Sequence, residues 1–424
     1  MNVAFDFCGS IPPSKSLLIR QQLLTLYEPK ITLPLASKCS DVVAMRGACA
    51  AFRDSQPDSQ PSAGHSPQIV HCGEAGLVLR LCLGYAARLG GDFLLTGARR
   101  LIERPHEPLL YTLRQLGAEI SAQLEPTPAL RVRSSGWQPV AGPLSLSGGL
   151  SSQFASSLLL NAWDLSFPLH ISCDPEPVSE GYLEMSIDTA RRFGMQITQQ
   201  KEADKMSLIV PPKQQIQAMA AMAEADVSSA FAVAALAAVA GTAQIRNFPQ
   251  HSLQPDHCFV DLLRQMGVPI TLSAEGLRVR RAVRLQPLSV DLGGAPDLVP
   301  VLAVLCALSD GESRLFGAPQ LRGKESDRIA TTAALLTLLG RENRPLMDGI
   351  EILGRPVSDD DRARSLAFDA TGDHRLVMAA AVARWAGFPI GVRGLSSVHK
   401  SFPEFVSLAG LSEGSPSESA KESS

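Results

Sequence analysis

One pattern recurs six times along this 424-residue chain and limits the folds that it can adopt. In each instance a small or polar residue opens an Ala/Leu-rich helix, which ends near glycine or a short turn. A brief strand and a second helix follow. The first helices are predicted to begin near Ser14, Glu74, Ser151, Ser228, Pro296 and Asp373, at spacings of 60, 77, 77, 68 and 77 residues. Solenoid repeats are shorter, about 20–50 residues, so this period indicates an α/β subdomain of βαβαββ type that is used six times.

The distribution of apolar residues predicts where the two kinds of helix lie. The first helices are apolar nearly all round and should be buried at the centre of a domain, whereas the amphipathic second helices should lie outside. Three second helices end at Gly117, Gly194 and Gly267, where glycine can supply a left-handed C-cap. Residues 53–68, rich in Ser, Pro and Gln, predict a flexible loop, and residues 412–424 predict a disordered tail.

Composition and charge exclude several classes of function. The formal net charge of −3 argues against nucleic acid as a partner, because a phosphate backbone demands a broad basic surface. The sequence has no run of 18 apolar residues, and its first residues resemble neither a signal peptide nor a transit stretch, so we expect no membrane span and a cytoplasmic protein. The eight cysteines form no CxxC pair and are expected to be buried free thiols, and neither Cys nor His shows metal-ligand spacing.

The stretch LRGKESDRI, residues 321–329, concentrates charge where a turn runs into a long apolar segment. Lys324 and Arg328 lie four apart and share one face of the predicted helix, with Glu325 on an adjoining face. The helix macrodipole disfavours cations at a helix start, and an anionic ligand bound among them would offset this cost. Glu325 could then move a proton beside that ligand. A solvated, salt-bridged helix start is the alternative that this segment alone leaves open.

Ligand-type groups also stand at the other helix starts. They are Lys15, Ser16 and Arg20 in PPSKSLLIR, Gly73 and Gly76 in GEAG, Arg104 in ERP, Ser151, Ser152 and Gln153 in SSQF, Asp297 in APD, Asp373, His374 and Arg375 in GDHR, and Lys400 in HKSF. Each motif alone also fits ordinary capping or surface pairing. Three units per domain would give two similar lobes. Together the motifs predict that both lobes point these helix ends at one positive cleft, which holds two small polyanions.

In their order and spacing, the motifs PPSKSLLIR, GEAG, ERP, SSQF, PD, RGKESDR, DHR and KSFPEF resemble the 5-enolpyruvylshikimate-3-phosphate synthase family. The resemblance runs from about Ile11 to Leu408, apart from the loop at 53–68. It implies two lobes, each of three βαβαββ units, in the inside-out α/β barrel arrangement of enolpyruvyl transferases. Lobe I would contain residues 1–13 and 225–424, lobe II residues 14–224, with hinges near Pro12–Ser14 and Glu224–Asp226.

The resemblance also implies an activity. The family transfers the carboxyvinyl group of phosphoenolpyruvate to the 5-hydroxyl of shikimate 3-phosphate and releases phosphate, in the shikimate pathway of aromatic amino acid biosynthesis. No dissociable cofactor and no metal take part, and we expect a monomer.

Matched residue by residue, the resemblance implies contacts for each substrate. Those to shikimate 3-phosphate come from Lys15, Ser16, Arg20, Ser151, Ser152, Gln153, Ser179, Tyr182, Asp297, Gln320 and Lys324. Those to phosphoenolpyruvate come from Lys15, Gly76, Arg104, Gln153, Arg328, Arg375 and Lys400. Asp297, Glu325 and Lys15 are the implied catalytic residues, with Asp297 accepting the hydroxyl proton and Glu325 protonating the methylene carbon. Burial would favour a protonated Glu325, whereas the neighbouring Lys324 and Arg328 oppose it.

Four positions depart from the family pattern, and two alternative functions stay open. Glu74 stands where Asn is common, Leu77 where Thr is usual, Gln320 where Asn is usual and Gly181 where Pro is frequent. A carboxylate at 74 should weaken phosphoenolpyruvate binding unless Arg80 or another cation pairs with it. One alternative is a catalytically silent anion-binding homologue. The other is the related transferase acting on UDP-N-acetylglucosamine, which typically has Cys where this chain has Arg99.

Overall fold

The computed structural model describes residues 4–33, 37–54, 66–146, 151–173, 179–202, 205–217, 220–221, 223–370 and 372–413. The chain divides into two compact units: unit 1, Met1–Ser14 with Glu224–Ser424, and unit 2, Lys15–Ala223. The predicted loop lies outside the described residues from 55 to 65, since Arg53 belongs to a helix and Gln68 opens a strand. The predicted tail lies outside them from 414 onwards.

The described residues form eighteen strands and fourteen α-helices. The strands are β1 (Phe5–Gly9), β2 (Gln68–His71), β3 (Gly91–Thr96), β4 (Glu119–Gln123), β5 (Ala129–Ser134), β6 (Leu144–Leu146), β7 (Leu169–Cys173), β8 (Thr198–Lys201), β9 (Met206–Val210), β10 (Gly241–Ile245), β11 (Ile270–Ser273), β12 (Gly276–Arg280), β13 (Ser289–Asp291), β14 (Gly311–Phe316), β15 (Glu342–Pro345), β16 (Ile350–Gly354), β17 (Leu366–Asp369) and β18 (Ile390–Arg393). The helices are α1 (Lys15–Leu24), α2 (Ser40–Asp54), α3 (Gly76–Leu89), α4 (Arg99–Ile102), α5 (Glu107–Gln115), α6 (Gln153–Leu160), α7 (Glu180–Arg192), α8 (Val227–Ala240), α9 (Phe259–Gln265), α10 (Val299–Leu308), α11 (Arg328–Leu338), α12 (Asp359–Ala363), α13 (His374–Trp385) and α14 (Phe405–Leu408).

Four sheets repeat one topology. Their strand orders are β2-β3-β5-β4 and β6-β7-β9-β8 in unit 2, and β1-β10-β12-β11 and β13-β14-β16-β15 in unit 1. In each sheet the first two strands are parallel and the remaining pairs are antiparallel. A parallel pair needs a long crossover, and a buried helix such as α3, α6 or α10 supplies it, whereas the last two strands need only a turn. The predicted α/β class is confirmed.

Two of the six predicted units are less complete than the other four. In the last unit β17 and β18 pair in parallel, and α14 follows with no further strand among the described residues. In the first unit a brief strand was expected in ITLPL, residues 31–35. Its described part, residues 31–33, forms an isolated bridge between Thr32 and Ala220, and residues 34–35 lie outside the described residues.

The first helices form the cores, as their composition predicts. In unit 1, α8, α10 and α13 pack on one another, and their apolar side chains are almost all buried. In unit 2, α3 and α6 approach closely at Gly84, where a Cβ would come within 2.5 Å of Ser157 Oγ. The second helices bury one side only, and the predicted C-cap glycines 117, 194 and 267 have φ of 96°, 100° and 80°.

The cysteine prediction holds for six of the eight residues. Cys8 and Cys258 are exposed, which corrects the expectation for them, because one lies on an edge strand and the other on a short 3₁₀ turn.

None of the helices in the described ranges is long and apolar enough to cross a membrane. The same residues contain no group of three or more Cys, His, Asp or Glu side chains arranged to hold a metal ion.

Candidate functional site

In unit 1 a fully buried arginine joins three carboxylates. Arg328, the first residue of α11, donates from Nη1 to Asp297 Oδ1 at 2.8 Å and from Nη2 to Glu325 Oε2 at 3.0 Å. Its Nε donates to Asp373 Oδ2 at 2.8 Å. Asp373 caps the N-terminus of α13, and Asp297 lies in the 3₁₀ turn that precedes α10. The segment LRGKESDR therefore joins the starts of three helices.

Three more cations complete this group, which we call the Asp297 cluster (Asp297, Lys324, Glu325, Arg328, Asp373, Arg375 and Lys400). Arg375 Nη2 lies 3.1 Å from Asp297 Oδ2, and Lys324 Nζ lies 3.6 Å from Asp297 Oδ1. Lys400, which is buried, places Nζ 3.9 Å from Glu325 Oε1. Four cations thus meet three carboxylates, so the seven side chains have a formal charge of +1.

The electrostatics of the cluster keep Asp297 ionised. Burial opposes its negative charge, but Lys324, Arg328 and Arg375 outweigh burial and hold the pKa of Asp297 well below its ordinary value. Asp256 behaves differently: burial and the charge of Asp297 raise its pKa to about 6, although Arg375 and the Ser228 hydroxyl act in the opposite direction. An anion that paired with these cations would weaken their hold on Asp297 and make it a better proton acceptor.

In unit 2 a second buried arginine has no acidic partner among the described residues. Arg20 on α1 donates from Nε to Ser186 Oγ at 2.8 Å, from Nη1 to the Ser16 carbonyl at 2.8 Å and from Nη2 to the Tyr182 carbonyl at 2.9 Å. All three acceptors are neutral, and burial lowers the pKa of Arg20 to about 10. Arg20 is 1% exposed, so its positive charge is buried without a carboxylate partner among the described residues, an arrangement that an anionic ligand would stabilise.

A third group, the Gln153 cluster (Gly76, Arg80, Arg104, Ser151 and Gln153), surrounds the start of α3. Arg80 Nη1 donates to Gln153 Oε1 at 2.7 Å and to Ser151 Oγ at 3.0 Å. Since this bond occupies the amide oxygen of Gln153, its NH₂ group faces away as a donor for an acceptor ligand. A Cβ at Gly76 would lie 3.0 Å from Arg104 Nη1, so glycine here admits the guanidinium. Burial, Arg80 and Arg104 lower the pKa of the adjacent His106 to about 4.

Residues 11–408 match the family described as EPSP synthase (3-phosphoshikimate 1-carboxyvinyltransferase). The chain belongs to the EPSP synthase family. Similar proteins named 3-phosphoshikimate 1-carboxyvinyltransferase include that of Thermococcus kodakarensis, 32% identical over 403 residues, which cover 93% of this chain and 94% of the relative. That of Syntrophobacter fumaroxidans is 32% identical over 413 residues, with 93% and 94% covered.

Solved structures share the fold of this EPSP synthase family member. The EPSP synthase of Acinetobacter baumannii aligns with a TM-score of 0.68 at 24% identity, covering 97% of this chain and 96% of that one. The enolpyruvyl transferase NikO of Streptomyces tendae aligns with the same score at 13% identity, covering 97% and 94%. The family predicted from the motifs is confirmed, and so is the predicted fold class.

The remaining predicted site residues of this EPSP synthase family member are near these groups or at helix caps. Lys15 Nζ forms an ion pair with Asp41 Oδ2 at 2.9 Å. Ser152 and Ser179 are the buried N-cap residues of α6 and α7. Gln320 donates from Nε2 to the Gly293 carbonyl at 3.1 Å, in the loop that leads to Asp297.

Sequence reasoning missed several supporting residues. Asp41 follows Ser40 at the start of α2, and an acidic residue in a first turn also has an ordinary capping explanation. The sequence suggests Arg80 only as a partner for Glu74, which is exposed, whereas the structure shows its hydrogen bond to Gln153. Asp256 accepts a hydrogen bond from Ser228 and stands in a 3₁₀ turn without any local motif.

Proposed function

We propose that this chain transfers the carboxyvinyl group of phosphoenolpyruvate to the 5-hydroxyl of shikimate 3-phosphate and releases phosphate. One observation carries the proposal beyond family membership. Two carboxylates, Asp297 and Glu325, share the buried guanidinium of Arg328 while three further cations surround them. Such a group supplies a proton acceptor, a proton donor and the positive charge that an anionic substrate needs.

The two carboxylates suit the two proton transfers of this reaction. Asp297 accepts the proton of the 5-hydroxyl as its oxygen forms a bond to C2 of phosphoenolpyruvate. Glu325 gives a proton to the methylene carbon, which makes C2 electrophilic. The C2–O bond to phosphate then breaks, and Asp297 gives the departing phosphate the proton that it took from the hydroxyl. The new methyl group returns one proton to Glu325, and the C=C double bond re-forms. Each step needs one acid and one base, which the cluster provides.

Substrate anions prepare these carboxylates for their tasks. Lys400 and Arg328 contact Glu325, at 3.9 Å and 3.0 Å. A phosphate or carboxylate of phosphoenolpyruvate that pairs with Lys400, Arg328 and Arg375 takes over this positive charge. The negative charge of the ligand beside Glu325 then favours the protonated form of its carboxyl group. The binding of phosphoenolpyruvate thus favours protonation of Glu325, the residue that then protonates its methylene carbon.

The residues of unit 2 fit the second substrate. Arg20 lacks an acidic partner among the described residues, and we assign it to the carboxylate of shikimate 3-phosphate, with Ser16 and Tyr182 beside it. Ser151, Ser152 and Lys15 are assigned to its phosphate. Gln153, whose amide oxygen accepts a hydrogen bond from Arg80, and Arg104 would contact phosphoenolpyruvate. Together the two substrates bring four acidic groups, so cations from both units are needed.

The experiment that tests the proposal measures phosphate release from the purified full chain. Shikimate 3-phosphate and phosphoenolpyruvate are supplied singly and together, and release should require both. Binding of both without turnover would favour the silent homologue. Turnover with UDP-N-acetylglucosamine in place of shikimate 3-phosphate would favour the related transferase.

Two variants then test the residue roles. Glu325→Gln should lose at least about 100-fold in kcat, because one proton donor contributes roughly 10²–10⁴, while shikimate 3-phosphate still binds; unchanged turnover would remove Glu325 from the acid role. Lys400→Ala should raise KM for phosphoenolpyruvate more than KM for shikimate 3-phosphate. Equal effects on the two constants would contradict its assignment to phosphoenolpyruvate.

The setting of the enzyme is also a proposal. We infer a cytoplasmic monomer that needs no cofactor and binds no nucleic acid, supported by six buried free thiols and a formal net charge of −3.

The segments 12–14 and 224–226, proposed as hinges, are joined by backbone hydrogen bonds of 2.8 Å from Ser14 N to Glu224 O and from Asp226 N to Pro12 O. Lobe closure about them would exclude water from the reaction.

A further inference from the structure

Unit 1 contains a cavity of about 780 Å³ at the far end of α13 from the Asp297 cluster. Arg375 stands in the first turn of α13, whereas its last residue, Trp385, lines the cavity. Ten residues of helix separate the two, a distance of about 15 Å along the axis. Val239 and Ala240, the last residues of α8, line the same space, which we call the Trp385 cavity. Its volume lies in the usual range for small-molecule sites, about 300–1,000 Å³.

The charge of the Trp385 cavity is strongly one-sided. Arg281, Arg362 and Arg384 line it, and its described lining residues include neither Asp nor Glu. Within the described chain, Arg281 and Arg384 form no ion pair. Arg362 forms one ion pair, from Nε to Asp359 Oδ1 at 3.9 Å, and both of these side chains are exposed to solvent. The C-terminal ends of α8 and α13 each contribute about half a negative charge. Three guanidinium groups therefore leave a net charge of about +2.

Two of these arginines are held in position by the fold. Arg384 Nη1 donates to the carbonyl of Ile390 at 3.3 Å, which ties the side chain to β18. The guanidinium of Arg362 lies against Gly387, where any Cβ would overlap it. Gly387 also has a φ of 112°, a value that favours glycine. The positive groups are thus partly pre-organised, which lowers the entropic cost of binding.

A second cavity of unit 1 shows the contrast. It has a volume of about 470 Å³ and is lined by Arg314 and Arg344, but also by Glu312, Glu342 and Glu351. Glu351 pairs with both arginines, at 3.9 Å and 2.5 Å. Its three glutamates outnumber its two arginines, so it offers an anion no net attraction. The Trp385 cavity has no such internal partners among its described lining residues.

We propose that the Trp385 cavity binds a small organic dianion with an apolar body. Arg281, Arg362 and Arg384 hold the two acidic groups, since two negative charges match the net charge of the cavity. Trp385, Val239 and Ala240, which are half-buried, supply the apolar surface. The indole N–H of Trp385 already donates to the Ala409 carbonyl at 2.9 Å, so the ring offers a ligand its aromatic surface.

The test is a titration of the full chain with phthalate, a benzene ring that bears two carboxylates. Tryptophan fluorescence reports binding, because the other tryptophans, Trp137 and Trp163, are buried in unit 2. We expect saturable binding by phthalate, at least fivefold weaker binding by benzoate, and none by neutral benzamide. The signal should disappear in Trp385→Phe, while calorimetry should still detect binding by that variant. Equal binding of benzamide would overturn the proposal.

Arginine variants locate the site. Arg384→Gln and Arg281→Gln should each weaken phthalate binding roughly tenfold, the value of one charge-assisted hydrogen bond, while catalytic turnover without phthalate stays unchanged. Arg281 is exposed, so its replacement leaves folding intact even if Arg384→Gln impairs it. Arg344→Gln, in the second cavity with its three glutamates, is the matched control and should bind phthalate as the wild type does. Undiminished binding in both Arg384→Gln and Arg281→Gln, or loss of binding only in Arg375→Gln, would refute the site.

Discussion

Two arginines of nearly equal burial should respond in opposite ways to replacement by methionine. Arg20 is 1% exposed and Arg341 is 3% exposed. Arg341 pairs with the buried carboxylate of Asp361, at 3.1 Å and 3.3 Å, and donates to the Ala307 carbonyl at 2.9 Å. Arg20 donates only to neutral oxygens. We expect Arg341 to serve stability and Arg20 to serve binding.

The magnitudes follow from these contacts. The pKa of Arg20 falls from 12.5 to about 10, so keeping it charged in the folded state at neutral pH costs about 3 kcal/mol. Arg20→Met removes this cost but leaves three acceptors without their donor, at about 1 kcal/mol each. The two terms nearly cancel, and the free energy of unfolding should change by less than about 1.5 kcal/mol. Arg341→Met should cost about 3 kcal/mol, the low end for a broken buried pair, because Arg355 still contacts Asp361.

Urea unfolding followed by circular dichroism measures the stability of both variants, and calorimetry measures their binding of shikimate 3-phosphate. Arg20→Met should bind at least about 100-fold more weakly, since two charge-assisted hydrogen bonds are lost. Folded Arg341→Met should bind as the wild type does. The reasoning is refuted if Arg20→Met is destabilised as much as Arg341→Met, or if it retains its affinity for shikimate 3-phosphate.

Three further predictions concern single side chains. Gly76→Ala places a Cβ 3.0 Å from Arg104 Nη1, so the guanidinium must shift. In assays of steady-state phosphate release, KM for phosphoenolpyruvate should rise roughly tenfold. KM for shikimate 3-phosphate should stay unchanged. Asp256 has a folded pKa of about 6, so its contribution to stability is full below about pH 4 and is lost as pH rises through about 6. Asp256→Asn should therefore exceed the wild type by about 3 kcal/mol in urea unfolding at pH 8 and match it at pH 4; equal differences at both pH values would contradict this. Gly84→Ala, whose Cβ would meet α6 at 2.5 Å, should destabilise by about 1–3 kcal/mol, whereas Gly47→Ala, with nothing within 4 Å, should stabilise by about 0.5–1 kcal/mol in the same assay.

The helices could be predicted because their signals are local. An apolar run of about ten residues, a capping residue before it and a glycine after it all lie within one stretch of sequence. Gly117, Gly194 and Gly267 marked three helix ends correctly. The strand expected at residues 31–35 stays a prediction, because residues 34–35 lie outside the described residues and strand length depends on a partner that local sequence does not reveal. The described part of the first unit forms one bridge, between Thr32 and Ala220.

The charged residues of the candidate site could be predicted because their types are unusual at buried helix starts. Their partners could not, because each pair joins distant positions. Lys15 meets Asp41, 26 residues away, and Ser228 meets Asp256, 28 residues away. Arg80 illustrates the same difficulty, since its hydrogen bond to Gln153 spans 73 residues. The order of the motifs indicated which residues gather, and only the tertiary structure shows which atoms meet.

The position of β1 has a consequence for biosynthesis. Phe5 pairs with Gly241, 236 residues later, and ribosomes add about 5–20 residues per second. The earliest strand therefore waits about 10–50 s for its neighbour, with its backbone donors and acceptors unsatisfied, while the whole of unit 2 emerges and can fold first. A pause in translation before residue 241 would prolong the time for which β1 lacks its partner strand. Nascent chains stalled there should be retained by chaperones or aggregate.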